Sequence, residues 1–369
     1  VVTTFGLREQ MDKISIIDHV GLKAGMDYYS SSLARGFKEI GISPFLFSNI
    51  DGLDGIETES IFRKEKGSFL SNVSNAILPW RKAAHLCRQN GIQDAVIHIF
   101  SFERKDELSM RILKAAGINI HAIVHDVEHL GNKEHSGKRQ QYILSQCDFI
   151  YVHNDFSAKA LAGRGFDRTI KIPMGNYHYL PSKLTKEDAR KKLSWSTDES
   201  YVLFFGQIKP VKGLEVMLRA LQGLSCKLVI AGKPWHDDFS HYDDMIGELN
   251  LSSKIEKHIR FIEDEERDLF FKASDLLVLP YEKIFQSAVM QMAFSYKLPI
   301  ISSDLLPFRD MLQNDSLGEM FETGNSEALH QALKSFLVNP KKAQQKADKA
   351  YKYAEDNLHW KGIAENFKY

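Results

Sequence analysis

Residues 276–304, LLVLPYEKIFQSAVMQMAFSYKLPIISSD, read as a buried strand, a polar break, a short helix and a second buried strand. Two short apolar runs joined through a helix form the βαβ unit of a parallel sheet, whose strands are buried on both faces. In such sheets ligands bind just beyond the carboxyl ends of the strands, and helix N-termini there attract anions. The break from Tyr281 to Ser287 sits at that place. Ser287 is positioned to cap the helix, with the N–H groups of Ala288 and Val289 directed out of its first turn. The combination suits a phosphate, and an ordinary strand-to-helix turn satisfies the same pattern.

Outward from this unit the rhythm repeats in both directions. SYVLFFG (200–206), CKLVIAG (226–232), IRFIE (259–263), LLVLPY (276–281) and LPIISSD (298–304) are strand candidates with helical segments between them. Upstream, KISIIDHV (13–20), SPFLFSN (43–49), DAVIHIF (94–100), INIHAIVHD (118–126), CDFIYVHN (147–154) and TIKIPMG (169–175) make a second such series. Between the two lies a polar, charged stretch, 179–198, that suits a linker and a short helix. The reading is α/β with two doubly wound Rossmann-like domains, 11–178 and 179–350, facing a cleft. Residues 351–369 form a charged C-terminal helix placed to pack back on the first domain. The first strand begins after Met11, so residues 1–10 are expected to take little part in the fold.

The chain has 369 residues, long for one core and comfortable for two. Lys plus Arg and Asp plus Glu balance at 48 each, which argues against a nucleic-acid-coating protein. Cys87, Cys147 and Cys226 fit neither a disulfide framework nor a zinc site, and the default reading is reduced thiols in the cytoplasm. No apolar run reaches the length of a bilayer span, and the first ten residues lack the pattern of a secretory signal.

The segment FFGQIKPVKGLEVMLRAL, 204–221, carries the strongest local chemistry. A strand ends at Phe205, Gly206 permits a tight turn, and a helix starts near Gly213. Lys209 and Lys212 lie in the loop between. Two ammonium groups beside a helix N-terminus suit a pyrophosphate, and two solvated loop lysines are the plain alternative. His125 and Asp126 end a strand in HAIVHDVEHL, where an imidazole can handle a proton near neutral pH; a buried structural histidine is the other reading. HDDFSHYDDM (236–245) and EDEERD (263–268) are read as polar helix starts rather than metal sites. In LPWRKAAHLCRQNG (78–91), Trp80 flanked by Arg81 and Lys82, with Arg88 beyond, suits an anionic membrane surface or a solvated helix face anchored by one tryptophan.

The ordered blocks FFGQIKPVKGLEVMLRAL, CKLVIAG, IRFIEDEERDLFFKASDLLVLPY and FQSAVMQMAFSYKLPIISSD resemble the C-terminal domain of GT-B glycosyltransferases of family 4, the glycosyl transferases group 1, of bacterial polysaccharide type. SIIDHVGLKAGMDYYSSSLARGFKEIG and IVHDVEHL resemble the N-terminal domain of the same family. The resemblance spans roughly residues 13–340. It implies acceptor binding on the first domain and a nucleoside-diphosphate sugar on the second, UDP- or GDP-linked, as substrate and with no cofactor or metal. Lys212 matches the lysine on the diphosphate. Gln207 stands where the family carries an arginine, and Lys209 could replace that charge. Gly206, Ile262, Gln286, Ser287 and Ala288 fall among the donor contacts, Ser287 and Ala288 on the loop whose amides hold the distal phosphate. His125 matches a histidine against the donor sugar, and Gly25 a small residue of the first loop.

One departure stands out. The family's paired glutamates fall here at Ile284 and Met292, neither of which accepts a hydroxyl hydrogen bond through an ionised side chain. Glu282 and Gln291 lie near enough to substitute, with Glu282 preferred. The implied reaction is a hexosyl transfer to a glycan or lipid-linked sugar, retaining and metal-independent, by a monomer or homodimer in the cytoplasm, with peripheral membrane contact and no nucleic acid. The missing glutamates support a rival, a non-catalytic GT-B-like subunit that binds a partner transferase or glycan. A nucleotide-sugar epimerase or a phosphorylase would keep the fold and change the reaction.

Overall fold

The computed structural model describes residues 11–22, 25–62, 69–128 and 137–367; the segment 1–10 lies outside them. The chain separates into two units, one of residues 1–175 and 359–369, the other of residues 176–358. These boundaries differ from the expected 178 and 350. The helix Pro340–Asn357 runs through position 350 without a break. Asn176 ties the two ends of the second unit together, its backbone N–H donating to the Leu358 carbonyl and its Nδ2 to that of Ala354.

The first unit holds seven parallel strands: β1 Lys13–Ile17, β2 Ser43–Ser48, β3 Glu57–Ser60, β4 Asp94–Ile99, β5 Asn119–Val124, β6 Phe149–Val152 and β7 Thr169–Lys171. Their order is β3-β2-β1-β4-β5-β6-β7. Ile16 pairs with Leu46 on one side and Val96 on the other, which places β1 inside the sheet between β2 and β4. Every residue of β4 is buried, as a strand covered by helices on both faces requires.

The second unit holds six: β8 Tyr201–Phe205, β9 Lys227–Ala231, β10 Ile255–His258, β11 Leu276–Leu279, β12 Ile300–Ser303 and β13 Glu319–Phe321, again all parallel. The order is β10-β9-β8-β11-β12-β13. Alternate residues sort to the two faces. Val202, Phe204, Leu228, Ile230 and Val278 join Leu214, Met217, Leu329 and Leu333 in one core, while Leu203, Val229 and Leu277 are equally buried.

Two readings are corrected here. The expected strand 259–263 is a turn: β10 ends at His258, whose carbonyl accepts from Gly232 and Arg260, and the chain then leads into the helix Asp264–Ala273. The edge strands β3 and β13 were not expected, because a short polar edge such as ETES has one neighbour and no apolar signature. Trp80 is buried, its ring 5.2 Å from Phe62 and 5.7 Å from His19, which fits the reading of a helix face anchored by one tryptophan and leaves the ring unavailable to a membrane. No described helix is long and apolar enough to cross a membrane.

Candidate active site

In the second unit the strand order reverses direction between β8 and β11, and a ligand crevice forms at such a switch point beyond the strand ends. The two loops that leave these strands are 206–213 and 280–287. Gly206 takes φ 106° as β8 ends, with its N–H donating to the Ala231 carbonyl. A short 3₁₀ turn, Pro210–Lys212, then carries the chain to Gly213 and the helix Leu214–Ala220. Gly213 has φ 66°, and a Cβ there would lie 1.8 Å from the Pro280 carbonyl oxygen. The 206–213 loop thus rests directly on the backbone that leaves β11. The Glu282 N–H donates to the Val211 carbonyl (2.9 Å), a second tie between the loops.

Both lysines sit on aromatic faces. The Lys212 ammonium is 3.7 Å from the centroid of the Tyr281 ring and that of Lys209 is 4.2 Å from Trp235. The ring face attracts a cation electrostatically and so orders its long side chain. Tyr281 is buried, and Trp235 is half exposed at 46%. Ser287 caps the helix Ala288–Ser295 by accepting from Met290 N (3.2 Å), and the first-turn amides of Ala288 and Val289 follow it. Val289 lies against Gly206, which sets this helix start beside the end of β8. Gly206, Lys212, Ser287 and Ala288 therefore occupy one neighbourhood, with Lys209 beside it on Trp235.

The remaining positions are less uniform. Gln207 and Glu282 are exposed; Ile262, Ile284 and Met292 are buried; Gln286 is half-buried. The buried Oε1 of Gln291 has no hydrogen-bond partner. Trp235 and Tyr281 were not singled out in the sequence, although both directly follow a proline at a strand end, which is a usable signal. The acidic runs pair locally: Asp264 with Arg267, Glu266 with Arg260, Asp243 with Lys257.

In the first unit, Gly25 begins the helix Met26–Glu39 with φ 72°. His125 ends β5 in a buried cluster: its Nε2 is 2.9 Å from Nδ1 of His98, Phe100 stacks on it at 4.4 Å, and the His153 and Tyr29 rings lie 5.2 and 5.4 Å away. Burial pushes His19 and His153 down to about 4 and His98 to about 3. An unfolded histidine titrates near 6.5, so between that pH and 4 the unfolded chain binds more protons and stability falls with pH. Lowering the pH from 7 to 5 is expected to cost roughly 1–2 kcal/mol for each of His19 and His153. Asp106, raised to about 6 by burial, opposes this with a single carboxyl. Thermal melts across this range check it; a Tm that is flat or rises towards pH 5 contradicts it.

Residues 185–353 match the family model described as glycosyl transferases group 1. The family likeness applies to this stretch, a little under half of the chain. The chain is 26% identical over 242 residues to the D-inositol 3-phosphate glycosyltransferase of Rhodococcus erythropolis, covering 61% of this chain and 54% of the relative. Over 149 residues it is 30% identical to the phosphatidyl-myo-inositol mannosyltransferase of Mycobacterium leprae, 37% of each chain. The chain thus spans about half or less of the curated relatives it matches. Among solved structures, Anabaena Alr3699/HepE in complex with UDP and glucose superposes with a TM-score of 0.77 at 15% identity, covering 96% of this chain and 98% of that one. Sucrose-phosphate synthase from Thermosynechococcus elongatus gives 0.76 at 16% identity, with 96% of each chain covered. These likenesses establish the GT-B fold of the chain.

Proposed function

We propose that this chain is a hexosyltransferase that moves a sugar from a nucleoside diphosphate to a glycan or lipid-linked saccharide acceptor. The observation that carries the reading is the Lys212 ammonium on the face of Tyr281, at the switch point of the second sheet and beside the capped helix at Ser287. The diphosphate binds there, held by Lys212, Lys209 and the amides of Ser287 and Ala288. As the bond to the anomeric carbon breaks, negative charge grows on the leaving phosphate, and these fixed donors stabilise it without a metal ion. Glu282 receives a hydroxyl of the donor. His125 is a catalytic residue of the same reaction, and the departing phosphate assists removal of the acceptor proton, with retention at the anomeric carbon. A cytoplasmic setting, with peripheral contact to a membrane that carries the acceptor, belongs to the same proposal. Arg81, His85, Arg88 and Arg111 line a basic surface pocket in the first unit that suits such contact.

A UDP-bound solved relative of the same fold supports the choice of donor class. The buried Ile284 and Met292 at the family's glutamate positions favour the non-catalytic reading instead. Turnover separates the two. With UDP- and GDP-sugars, chelator present and a panel of glycan acceptors, acceptor-dependent nucleotide release and a product of unchanged anomeric configuration are expected. Release without acceptor points to a donor-only reaction, and no release with any donor supports the binding subunit.

A further inference from the structure

At the switch point of the first sheet a line of buried polar groups ends on His125. Asp18, just past β1, is fully buried, and its Oδ1 accepts from the backbone N–H groups of Val20 (3.0 Å) and Gly21 (2.7 Å). Its Oδ2 accepts from the Ser30 hydroxyl at 2.8 Å. Ser30 Oγ is 3.2 Å from Nε2 of His98, and Nδ1 of His98 is 2.9 Å from Nε2 of His125. Ser30, His98 and His125 are all buried.

Proton counting fixes each direction. A carboxylate only accepts, so the Ser30 proton points to Asp18 and its lone pair faces His98. A neutral imidazole carries one N–H, and burial keeps His98 neutral. The proton of His98 is therefore on Nε2, and its bare Nδ1 must accept from His125.

We infer that Asp18, acting through Ser30 and His98, is a positioning residue that holds the neutral His125 ring as the Nε2–H tautomer, the form whose Nδ1 is a hydrogen-bond acceptor. A catalytic use of that form rests on the proposed function; the relay does not.

The relay has an inversion test. In Asp18→Asn the two backbone N–H groups keep the side-chain oxygen on their side, so the amide NH₂ donates to Ser30. Ser30 then donates to His98 Nε2, His98 Nδ1–H donates to His125 Nε2, and His125 becomes the Nδ1–H tautomer. Long-range imidazole ¹H–¹⁵N spectra of the full chain, assigned with His98→Phe and His125→Phe, report the bare nitrogen of each ring. The unprotonated resonance of His125 is expected at Nδ1 in the wild type and at Nε2 in Asp18→Asn. Sugar transfer is expected to fall roughly 10- to 100-fold, as a donor replaces an acceptor at a buried ring nitrogen. An unchanged His125 tautomer overturns the relay. Inversion with undiminished transfer leaves the relay standing and overturns a catalytic role for His125. Should Asp18→Asn fail to fold, Ser30→Ala decides: mixed tautomers at His125 support the relay, and a pure Nε2–H form overturns it. Nucleotide binding to each variant, read by thermal shift, tests the donor site separately.

Discussion

Lys212→Ala is expected to lower the proposed sugar transfer by about 10²- to 10³-fold, the loss expected when one preorganised charge-stabilising group is removed from a developing anion. Its effect follows from where the ammonium is held. It lies 3.7 Å from the Tyr281 ring, on a turn whose Val211 carbonyl accepts from Glu282, so both loops fix its position. Lys209 makes the useful contrast. Its ring partner, Trp235, is 46% exposed, and water screens a charge at such a surface. Lys209→Ala is expected to cost about tenfold, in line with a solvent-weakened charged hydrogen bond. Because the diphosphate is charged before and after bond cleavage, Lys212→Ala should raise the donor KM as well as lower kcat. Steady-state kinetics of both variants decide it; equal effects contradict the ordering.

Gly213→Ala should have the largest structural effect. Its φ of 66° is strained for any side chain with a Cβ, and the added carbon would stand 1.8 Å from the Pro280 carbonyl oxygen. Neither atom is the end of a flexible side chain, so the 206–213 loop must lift off the backbone after β11. The expected loss is about 2–4 kcal/mol of stability, from left-handed strain together with a backbone clash. Gly223 separates the two causes. It has φ 75°, and nothing lies within 4 Å of the place a Cβ would take, so Gly223→Ala feels strain alone, about 1–2 kcal/mol. If Gly213→Ala costs no more than Gly223→Ala and still binds nucleotide, the contact between the loops is not what shapes the site.

Much of the architecture was legible before the structure. Runs such as DAVIHIF and SYVLFFG are apolar at consecutive positions, and only a strand covered on both faces needs that. The loop carrying Lys209 and Lys212 was legible for the same reason, since a charged, glycine-bounded insert between a buried strand and a helix has few structural uses. Other features depend on neighbours distant in sequence. Trp80 suits a membrane surface or a helix anchor equally until His19 and Phe62 are seen to enclose it. β10 is spelled IEKH, less apolar than the IRFIE that follows, because its edge position leaves one side open. Asp18, Ser30 and His98 meet only through the strand order β1-β4-β5, which no local pattern announces.

The switch point of the second sheet is proposed to bind a nucleoside diphosphate through Lys212 and the loop ending at Ser287. The most direct test is the thermal stability of the wild type and Lys212→Ala with UDP, GDP, ADP and dTDP, without added metal. A nucleotide at 100 times its Kd adds about 2.7 kcal/mol. One nucleotide should raise the wild-type Tm clearly and the variant's far less. If none of the four shifts the wild type, or both proteins respond alike, the diphosphate site is not where this account places it.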